Sequence, residues 1–523
     1  MTGRVFGEGV VDEARVDDLS KVNIDDLAVK SDAELRDIDE QVAGSPYYNR
    51  DLAPAGPSRR TWSTWNIAAM WIGMSVVITT YTLAAGLMAA GMNWWQALLT
   101  ITLGNLIVLI PMVLNAHAGT RYGIPFPVFV RASFGIRGAN LAAIARALVA
   151  CGWFGIQTWL GGTALDLLTA QLWSGWADVP AHDYIAFAVF WVVQVVIIWR
   201  GMEAIKYLES WAAPLLLAGG AAVLIWAFWK VGSATEPFSA SNRLEGQGPG
   251  FWTLFWPSLA ANVGYWATLS LNIPDFTRFA QSQRSQAIGQ AIGLPTTMAA
   301  FSFIGIATTA ATVVLFGEAI WDPIALMNQI GNVAAIIFAM VVIVVAQVTT
   351  NMAANVVAPS NDFSNLLPRV ISFRTGGLIT AVIGILTFPW LIIENLSAYI
   401  FTWLVGYGSL LGAIGGVMIV DYWVLRRERL DLVDLYRDDP QGQYWYSSGF
   451  NWRAIAAVLV AVIPVVPGFI EAATTEGFQG FTDPNILQRF YTYGFGFTFL
   501  VAAVVYLVLM RATAPRVVPE PAR

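Results

Sequence analysis

A tryptophan and a glutamine, Trp153 and Gln157, lie inside a long apolar run and are the residues best suited to ligand chemistry. They are four residues apart, so on a helix they share one face. That face offers a large flat ring beside an amide that both donates and accepts hydrogen bonds, which suits a flat, amide-bearing heterocycle. Because an amide in hydrocarbon is costly without a partner, the pair predicts a binding site within a membrane.

The composition is that of a polytopic membrane protein. Of the 523 residues, 56% are hydrophobic and 12% are charged, whereas about 25% charged residues are usual in soluble proteins. Residues 1–60 hold 13 acidic and 8 basic residues, and we expect them to form a partly disordered, acidic cytoplasmic tail. With one cysteine, Cys151, and two histidines, the sequence predicts no disulfide within the chain, no thiolate metal cluster and no cofactor. Nothing in the charge pattern indicates nucleic-acid binding.

Twelve apolar runs follow, each long enough to span a bilayer. They are residues 65–89, 94–117, 138–172, 183–200, 207–230, 252–273, 288–316, 330–358, 375–392, 396–423, 453–470 and 490–510. With both termini in the cytoplasm, all but three of the 29 Lys and Arg residues fall on the inner side, the exceptions being Lys230, Arg243 and Arg489. This asymmetry predicts twelve transmembrane helices in the plasma membrane with both ends inside.

Two runs carry a glycine among polar residues at mid-depth. The first contains Gly73 and Ser75, and the sixth contains Asn262 and Gly264. Two interrupted helices, five spans apart, are typical of an inverted-repeat transporter, and their free backbone groups need an ion, a substrate or side chains as partners. The alternative is that these small residues only permit close helix packing. The residues alone leave both interpretations open.

The eighth run places Thr349, Thr350, Asn351 and Asn355 within two turns. Asn351 and Asn355 share one face of a helix. Hydroxyl oxygens suit a hard cation such as sodium, while interhelical hydrogen bonding is the alternative for both threonines. In the third run, Asp166 is the carboxylate that a proton-coupled mechanism would use.

Several segments resemble one transporter family. They are Asn93–Ala97, Gly104–Val108, Asn115–Gly119, Gly123–Pro127, Arg131–Arg137, Trp153–Trp159, Ile273–Arg278 and Thr350–Asn355. The sequence is identified by them as similar to the nucleobase:cation symporter-1 family, which includes allantoin, hydantoin and uracil transporters. The resemblance implies an all-α integral membrane fold, a LeuT-like five-plus-five inverted repeat with two extra C-terminal helices. The implied segments are a tail 1–60, a ten-helix core 61–423, a cytoplasmic loop 424–452, two helices in 453–510 and a cytoplasmic tail 511–523.

The resemblance also implies roles for individual residues. It places the substrate ring between Trp153 and Trp266, with hydrogen bonds from Gln157 and Asn355. Further substrate-site positions are Tyr265, Val77 and Asn351, and the family's sodium site corresponds to Gly73, Val76, Ala346, Thr349 and Thr350. Val77 and Tyr265 stand where a hydantoin transporter has Gln and Gly, so the hydantoin specificity does not carry over.

These observations predict a secondary active symporter that imports a purine- or pyrimidine-related heterocycle by alternating access, coupled to inward Na⁺ or H⁺. Allantoin is the first candidate substrate, with uracil and hydantoin next. A cytosine or purine permease of the same fold is the alternative, and a channel is disfavoured because the interior polar residues cluster at one depth. No catalytic motif indicates an enzyme. We expect a monomer in the lipid bilayer whose partner is a small heterocyclic amide.

Overall fold

The computed structural model describes residues 19–200, 203–244, 248–329 and 331–512. Residues 1–18 and 513–523 of the two predicted tails lie outside this range. The principal helices are α1 (Asp32–Val42), α2 (Thr64–Ser75), α3 (Ile78–Ala89), α4 (Trp94–Tyr122), α5 (Ala139–Leu172), α6 (His182–Arg200), α7 (Glu203–Val231), α8 (Phe251–Tyr265), α9 (Ala267–Asn272), α10 (Gln283–Phe316), α11 (Val333–Asn355), α12 (Val357–Leu366), α13 (Phe373–Leu386), α14 (Ser397–Leu425), α15 (Trp452–Thr474) and α16 (Ile486–Ala512). Shorter helices are Phe126–Phe129, Arg131–Phe134, Glu236–Ser241, Pro274–Thr277, Pro323–Asn328 and Pro389–Ile392.

Local sequence explains where the first spans begin and end. The Ser63 hydroxyl accepts from the Asn66 N–H and the Asn66 side chain accepts from the Ser63 N–H, which is a reciprocal cap at the start of α2. Asn93 and Gln96 form the same arrangement at the start of α4. Gly123 ends α4 in the left-handed region with φ 76°, a conformation that glycine adopts without strain.

Each of the twelve predicted runs coincides with one or two helices. Within the described ranges, nine helices are long and apolar enough to cross a membrane, and α2 with α3 forms a tenth span bent by 59°. The sixth and ninth runs form shorter helices, α8 with 15 residues and α13 with 14. Length and hydropathy therefore support ten crossings directly. Large apolar side chains are exposed on the outer surface of the spans, as a lipid-facing surface requires: Ile110, Ile225, Phe338, Leu386, Leu500 and Val504.

The spans between Thr64 and Leu386 pack in two groups, except for α7, which contacts α10 of the first group and α11 of the second. One group contains α2 with α3, α4, α8 with α9, and α10; the other contains α5, α6, α11 with α12, and α13. In the first group α4 packs along α10, and in the second α5 packs along α11. The second and seventh runs thus face each other, as do the third and eighth and the fourth and ninth, which is the pairing that an inverted repeat would produce. Beyond them, α14 packs along α16, with α15 beside it.

Residues 19–60 do not form a disordered tail. Their backbone is bound to the C-terminal end of α4, since the Ala28 N–H donates to the Arg121 carbonyl at 2.7 Å and the Ala55 N–H donates to the Gly123 carbonyl at 2.9 Å. The buried apolar residues of the segment include Val22, Leu27, Val29, Val42 and Leu52. For residues 19–60 the structure therefore shows packing where partial disorder was expected. The burial of these spaced apolar residues stabilises the packed arrangement despite the high charge of the segment.

The predicted loop 424–452 packs against the same end of the helices. Buried Arg131 donates to the Leu435 carbonyl at 2.9 Å and to the Tyr47 carbonyl at 3.0 Å. Its guanidinium also lies over the Tyr436 ring, 5.2 Å from the ring centroid. Burial lowers the pKa of Arg131 to about 10, so the guanidinium stays charged at neutral pH. The N-terminal segment and this loop therefore share one buried cation.

Candidate functional site

The first break lies between α2 and α3, where Val76 and Val77 have ψ angles of 82° and 154°. β-Branched residues favour such non-helical conformations. The Val77 N–H donates to the Ser75 carbonyl and the Thr80 N–H donates to the Val77 carbonyl. In a continuous α-helix these two donors would instead serve the carbonyls of Gly73 and Val76. The break therefore removes the helical partners of the two carbonyls that the resemblance assigns to a cation.

The proposed hydroxyl ligands lie on α11, which packs against the first break. Val76 and Ala346 belong to the same buried apolar cluster, so the break and this part of α11 approach each other. Thr349 and Thr350 are both buried, and the Thr349 hydroxyl donates to the Ala346 carbonyl at 3.0 Å. The structure thus brings together two segments that carry the five candidate cation-site residues.

Three aromatic rings form a row at the second break, between α8 and α9. The Tyr265 ring lies edge-to-face between the two tryptophans, with its centroid 5.1 Å from that of Trp153 and 5.0 Å from that of Trp266. The Tyr265 hydroxyl hydrogen-bonds to the hydroxyls of Thr79 at 2.7 Å and Thr80 at 3.1 Å. Tyr265 therefore stands where the resemblance places the substrate ring, and a ligand held by both tryptophans must pack against it or displace it.

Two tyrosines on α14, which sequence reasoning missed, hold this row in place. The Trp153 indole N–H donates to the Tyr407 hydroxyl at 3.1 Å, and that hydroxyl donates to the Tyr265 carbonyl at 3.4 Å. The Tyr399 hydroxyl donates to the Thr79 carbonyl at 3.3 Å. The available signal was a pair of tyrosines eight residues apart inside the tenth apolar run.

Buried polar atoms without a hydrogen-bond partner among the described residues surround the rings. The indole nitrogens of Trp71 and Trp266 are two of them, and their ring centroids lie 5.1 Å apart. The Ser75 hydroxyl and the Gln157 Oε1 are two more. Because buried polar groups in native proteins are nearly always paired, these donors and this acceptor indicate a place for a polar ligand.

The two asparagines of α11 differ in how they are used. The Asn351 Nδ2 donates to the Phe154 carbonyl at 3.1 Å and to the Gln194 Oε1 at 2.8 Å. The Asn351 Oδ1 accepts from the Asn355 Nδ2 at 2.9 Å. Asn351 is held by protein groups, while Asn355 retains its carbonyl oxygen and a second N–H. The amide of Gln194 on α6 is a further residue that sequence reasoning missed.

Asp166 lies apart from the aromatic row. It follows Gln157 by nine residues on α5, which corresponds to about 13 Å along the helix axis. The Asp166 Oδ1 hydrogen-bonds to the Trp176 indole N–H and to the His182 Nδ1, both at 2.7 Å. The structure therefore assigns this carboxylate to a separate cluster at the far end of α5.

The pattern of one protein family, described as permeases for cytosine/purines, uracil, thiamine and allantoin, matches residues 54–494. The chain belongs to this family. The purine-uracil permease of Arabidopsis thaliana is 43% identical, covering 92% of this chain and 81% of its own length. The allantoin permease of Bacillus subtilis is 37% identical, covering 89% of this chain and 94% of its own length. The protein is thus a transporter and not an enzyme. This confirms the predicted family and the prediction, made from the sequence, that the protein is not an enzyme.

Solved structures agree with this assignment. Mhp1, a nucleobase-cation-symport-1 family transporter solved in a closed conformation with bromovinylhydantoin bound, is 28% identical, with a TM-score of 0.73 over 89% of this chain and 96% of that chain. A Na⁺-coupled sialic acid symporter shares the fold, with a TM-score of 0.61 at 14% identity. The LeuT-like helical fold expected from the resemblance is therefore confirmed.

Proposed function

We propose that the protein is a secondary active symporter that imports a flat, amide-bearing heterocycle by alternating access. The observation that carries this proposal is the row of Trp153, Tyr265 and Trp266, together with the unpaired Oε1 of Gln157 and the Asn355 amide, which donates one N–H to Asn351. Aromatic walls bind a flat ring through its faces and edges, and amides distinguish its N–H and C=O groups. Together these groups select heterocycles that carry an N–H next to a carbonyl.

Allantoin remains the first candidate substrate, followed by uracil and hydantoin. The names of the two relatives above include allantoin and uracil, and the hydantoin permease of Microbacterium maritypicum is 33% identical over 79% of this chain. Tyr265 narrows the space between the two tryptophans, and Val77 contributes no polar group to the site. Both differences favour a pocket unlike that of a hydantoin transporter.

The coupling cation would lie where the first break meets α11. Its ligands would be the carbonyls of Gly73, Val76 and Ala346 and the hydroxyls of Thr349 and Thr350, all of which are hard oxygen donors suited to Na⁺. The negative end of the α2 dipole also favours a cation at this break. Proton coupling is the alternative, for which Asp166 beside His182 is the candidate carboxylate.

We further propose twelve crossings, both termini in the cytoplasm, and a monomer in the plasma membrane. The one-sided distribution of Lys and Arg supports this orientation. A single cysteine introduced between Gly232 and Gly250 should react with an impermeant thiol reagent added outside intact cells. Labelling only after the cytoplasmic face is opened would contradict the orientation.

Binding to the purified protein tests the function. We would titrate allantoin, uracil, hydantoin, cytosine and adenine by calorimetry, each with and without sodium. A saturable response that tightens with sodium is expected, because two ligands that favour the same conformation strengthen each other's binding. Tightening with falling pH and not with sodium would identify proton coupling. No response to any of the five compounds would refute the proposed substrate class.

A further inference from the structure

A chain of hydrogen bonds between buried side chains leads from α6 to the candidate substrate site. It joins Gln194 on α6, Thr158 on α5, and Asn351 and Asn355 on α11. The first three side chains are fully buried and Asn355 is 6% exposed. Gln194 lies at the centre of an otherwise apolar run. Its burial is costly unless both the oxygen and the nitrogen of its amide have hydrogen-bond partners.

The hydrogen bonds fix the direction in which Gln194 points. The single hydrogen of the Thr158 hydroxyl is donated to the Phe154 carbonyl at 2.6 Å, so the Thr158 oxygen accepts from the Gln194 Nε2 at 2.9 Å. The Gln194 Oε1 then accepts from the Asn351 Nδ2 at 2.8 Å. A reversed Gln194 amide would place its N–H groups against those of Asn351, and its oxygen against the Thr158 oxygen, whose hydrogen is already donated to Phe154.

The fixed orientation of the Gln194 amide also fixes the orientation of the Asn351 amide, and through it that of Asn355. The Asn351 Nδ2 donates to Gln194 and Phe154, so the Asn351 Oδ1 points along α11 towards Asn355. There it accepts from the Asn355 Nδ2 at 2.9 Å. Asn355 therefore gives one N–H to the protein and keeps its carbonyl oxygen for another donor. Without this chain, the Asn355 amide would be free to present either edge.

We propose that Gln194 is a specificity-determining positioning residue, which orients Asn355 so that its carbonyl oxygen accepts a hydrogen bond from a ring N–H of the substrate. This inference rests on the proposed function, because it requires Asn355 to contact the substrate. The class it selects is a lactam or imide with a free N–H at that edge. A ring whose nitrogen is methylated leaves the Asn355 oxygen unpaired in a dry site, which is the usual basis of strong rejection.

N-Methylated rings test the inference directly. The probes are uracil, 1-methyluracil and 3-methyluracil, with hydantoin and its 1-methyl and 3-methyl derivatives as a second series, all titrated calorimetrically against the full-length protein. In the unsubstituted protein, methylation of the nitrogen that faces Asn355 should weaken binding by about tenfold or more. Gln194→Leu should weaken binding of the parent ring and reduce this discrimination to within about threefold, because Asn355 is no longer held in one orientation.

A second variant and a matched control separate positioning from packing. Thr158→Val removes the hydroxyl that fixes the Gln194 amide and should reduce the discrimination in the same way, which keeps the test decisive if Gln194→Leu does not fold. Gln290→Leu is the control, since Gln290 is a buried glutamine on α10 whose Nε2 donates to Gln286 on the same helix at 2.7 Å. It should leave the discrimination unchanged.

Each outcome decides the matter. Discrimination that stays unchanged in the folded Gln194→Leu and Thr158→Val proteins would overturn the inference. An equal loss of affinity for parent and methylated rings would also overturn it, because a purely structural role weakens all of them alike. Failure of the unsubstituted protein to bind any of the five compounds tested for function would instead refute the proposed function itself. If allantoin alone binds, its N-methyl derivatives take the place of the two series, with the same outcomes.

Discussion

The two interrupted helices look alike in sequence but break differently. Between α2 and α3, two consecutive residues, Val76 and Val77, leave helical geometry and the axis bends by 59°. Between α8 and α9 only Trp266 departs, with φ −104° and ψ 8°, and it still accepts from the Ser270 N–H as in a continuous helix. The first break frees carbonyl oxygens, which suits a cation, whereas the second mainly redirects an aromatic side chain, which suits a ring.

The glycines beside the two breaks differ in the same way. A Cβ added to Gly264 would lie 2.4 Å from the Leu404 carbonyl oxygen, so this glycine allows α8 to approach α14 closely. A Cβ added to Gly73 would meet no atom within 4 Å. Close packing, one of the two interpretations of a mid-depth glycine, therefore applies at the second break and not at the first.

The largest expected effect comes from Gly264→Ala. The added methyl group would force the α8 and α14 backbones apart, and overpacking of this kind costs about 1–3 kcal/mol or more. We expect a lower thermal unfolding temperature and poor recovery of folded protein, measured by size-exclusion chromatography after heating. Gly73→Ala is the control and should keep or raise stability, since alanine is favoured over glycine within a helix by about 0.5–1 kcal/mol. Equal losses in both variants would contradict the contrast between the two glycines.

Next in size is the effect of Trp266→Ala on substrate binding. Removal of this ring takes away buried apolar area and an aromatic contact worth about 0.5–1.5 kcal/mol on its own, so we expect affinity to fall about tenfold to a hundredfold. Calorimetry measures the change. Trp252→Ala is the control, because Trp252 lies on α8, the helix that leads to Trp266, but is 66% exposed. Comparable losses in both variants would show that Trp266 has no special role at the second break.

Substitutions beside the first break should weaken binding of the coupling cation and leave binding of the substrate ring unchanged. Thr349→Ala with Thr350→Ala should abolish the tightening of substrate binding by sodium, an effect that is typically about fivefold or more, while sodium-free affinity is preserved. Thr380→Ala on α13 is the control, since Thr380 is a buried threonine that donates to a carbonyl of its own helix at 2.9 Å. If substrate binding by the double variant still tightens with sodium, the cation does not bind at this break.

Sequence reasoning succeeded where side-chain type alone carries the information. The apolar runs coincide with helices because hydrophobic length is sufficient to indicate a span. The rings of Trp153 and Trp266, singled out in the sequence, both contact Tyr265 in the structure. It did not find Tyr407 or Gln194, whose roles depend on which helices become neighbours. It also did not distinguish the two breaks, because Gly73 and Gly264 differ only in the helices that pack against them.

The smallest expected effect, from Tyr265→Phe, tests whether the two breaks act together. Tyr265 belongs to the second break, yet its hydroxyl binds Thr79 and Thr80 on α3, directly after the first. Loss of the hydroxyl removes hydrogen bonds worth about 1 kcal/mol and should weaken substrate binding about fivefold. It should also reduce the effect of sodium on substrate affinity, because the movement of α3 is then less tightly linked to the ring site. Tyr493→Phe on α16, where the side chain is 45% exposed, is the control. If Tyr265→Phe weakens binding but leaves the sodium effect intact, the hydroxyl serves only the ring site and the two breaks communicate by another route.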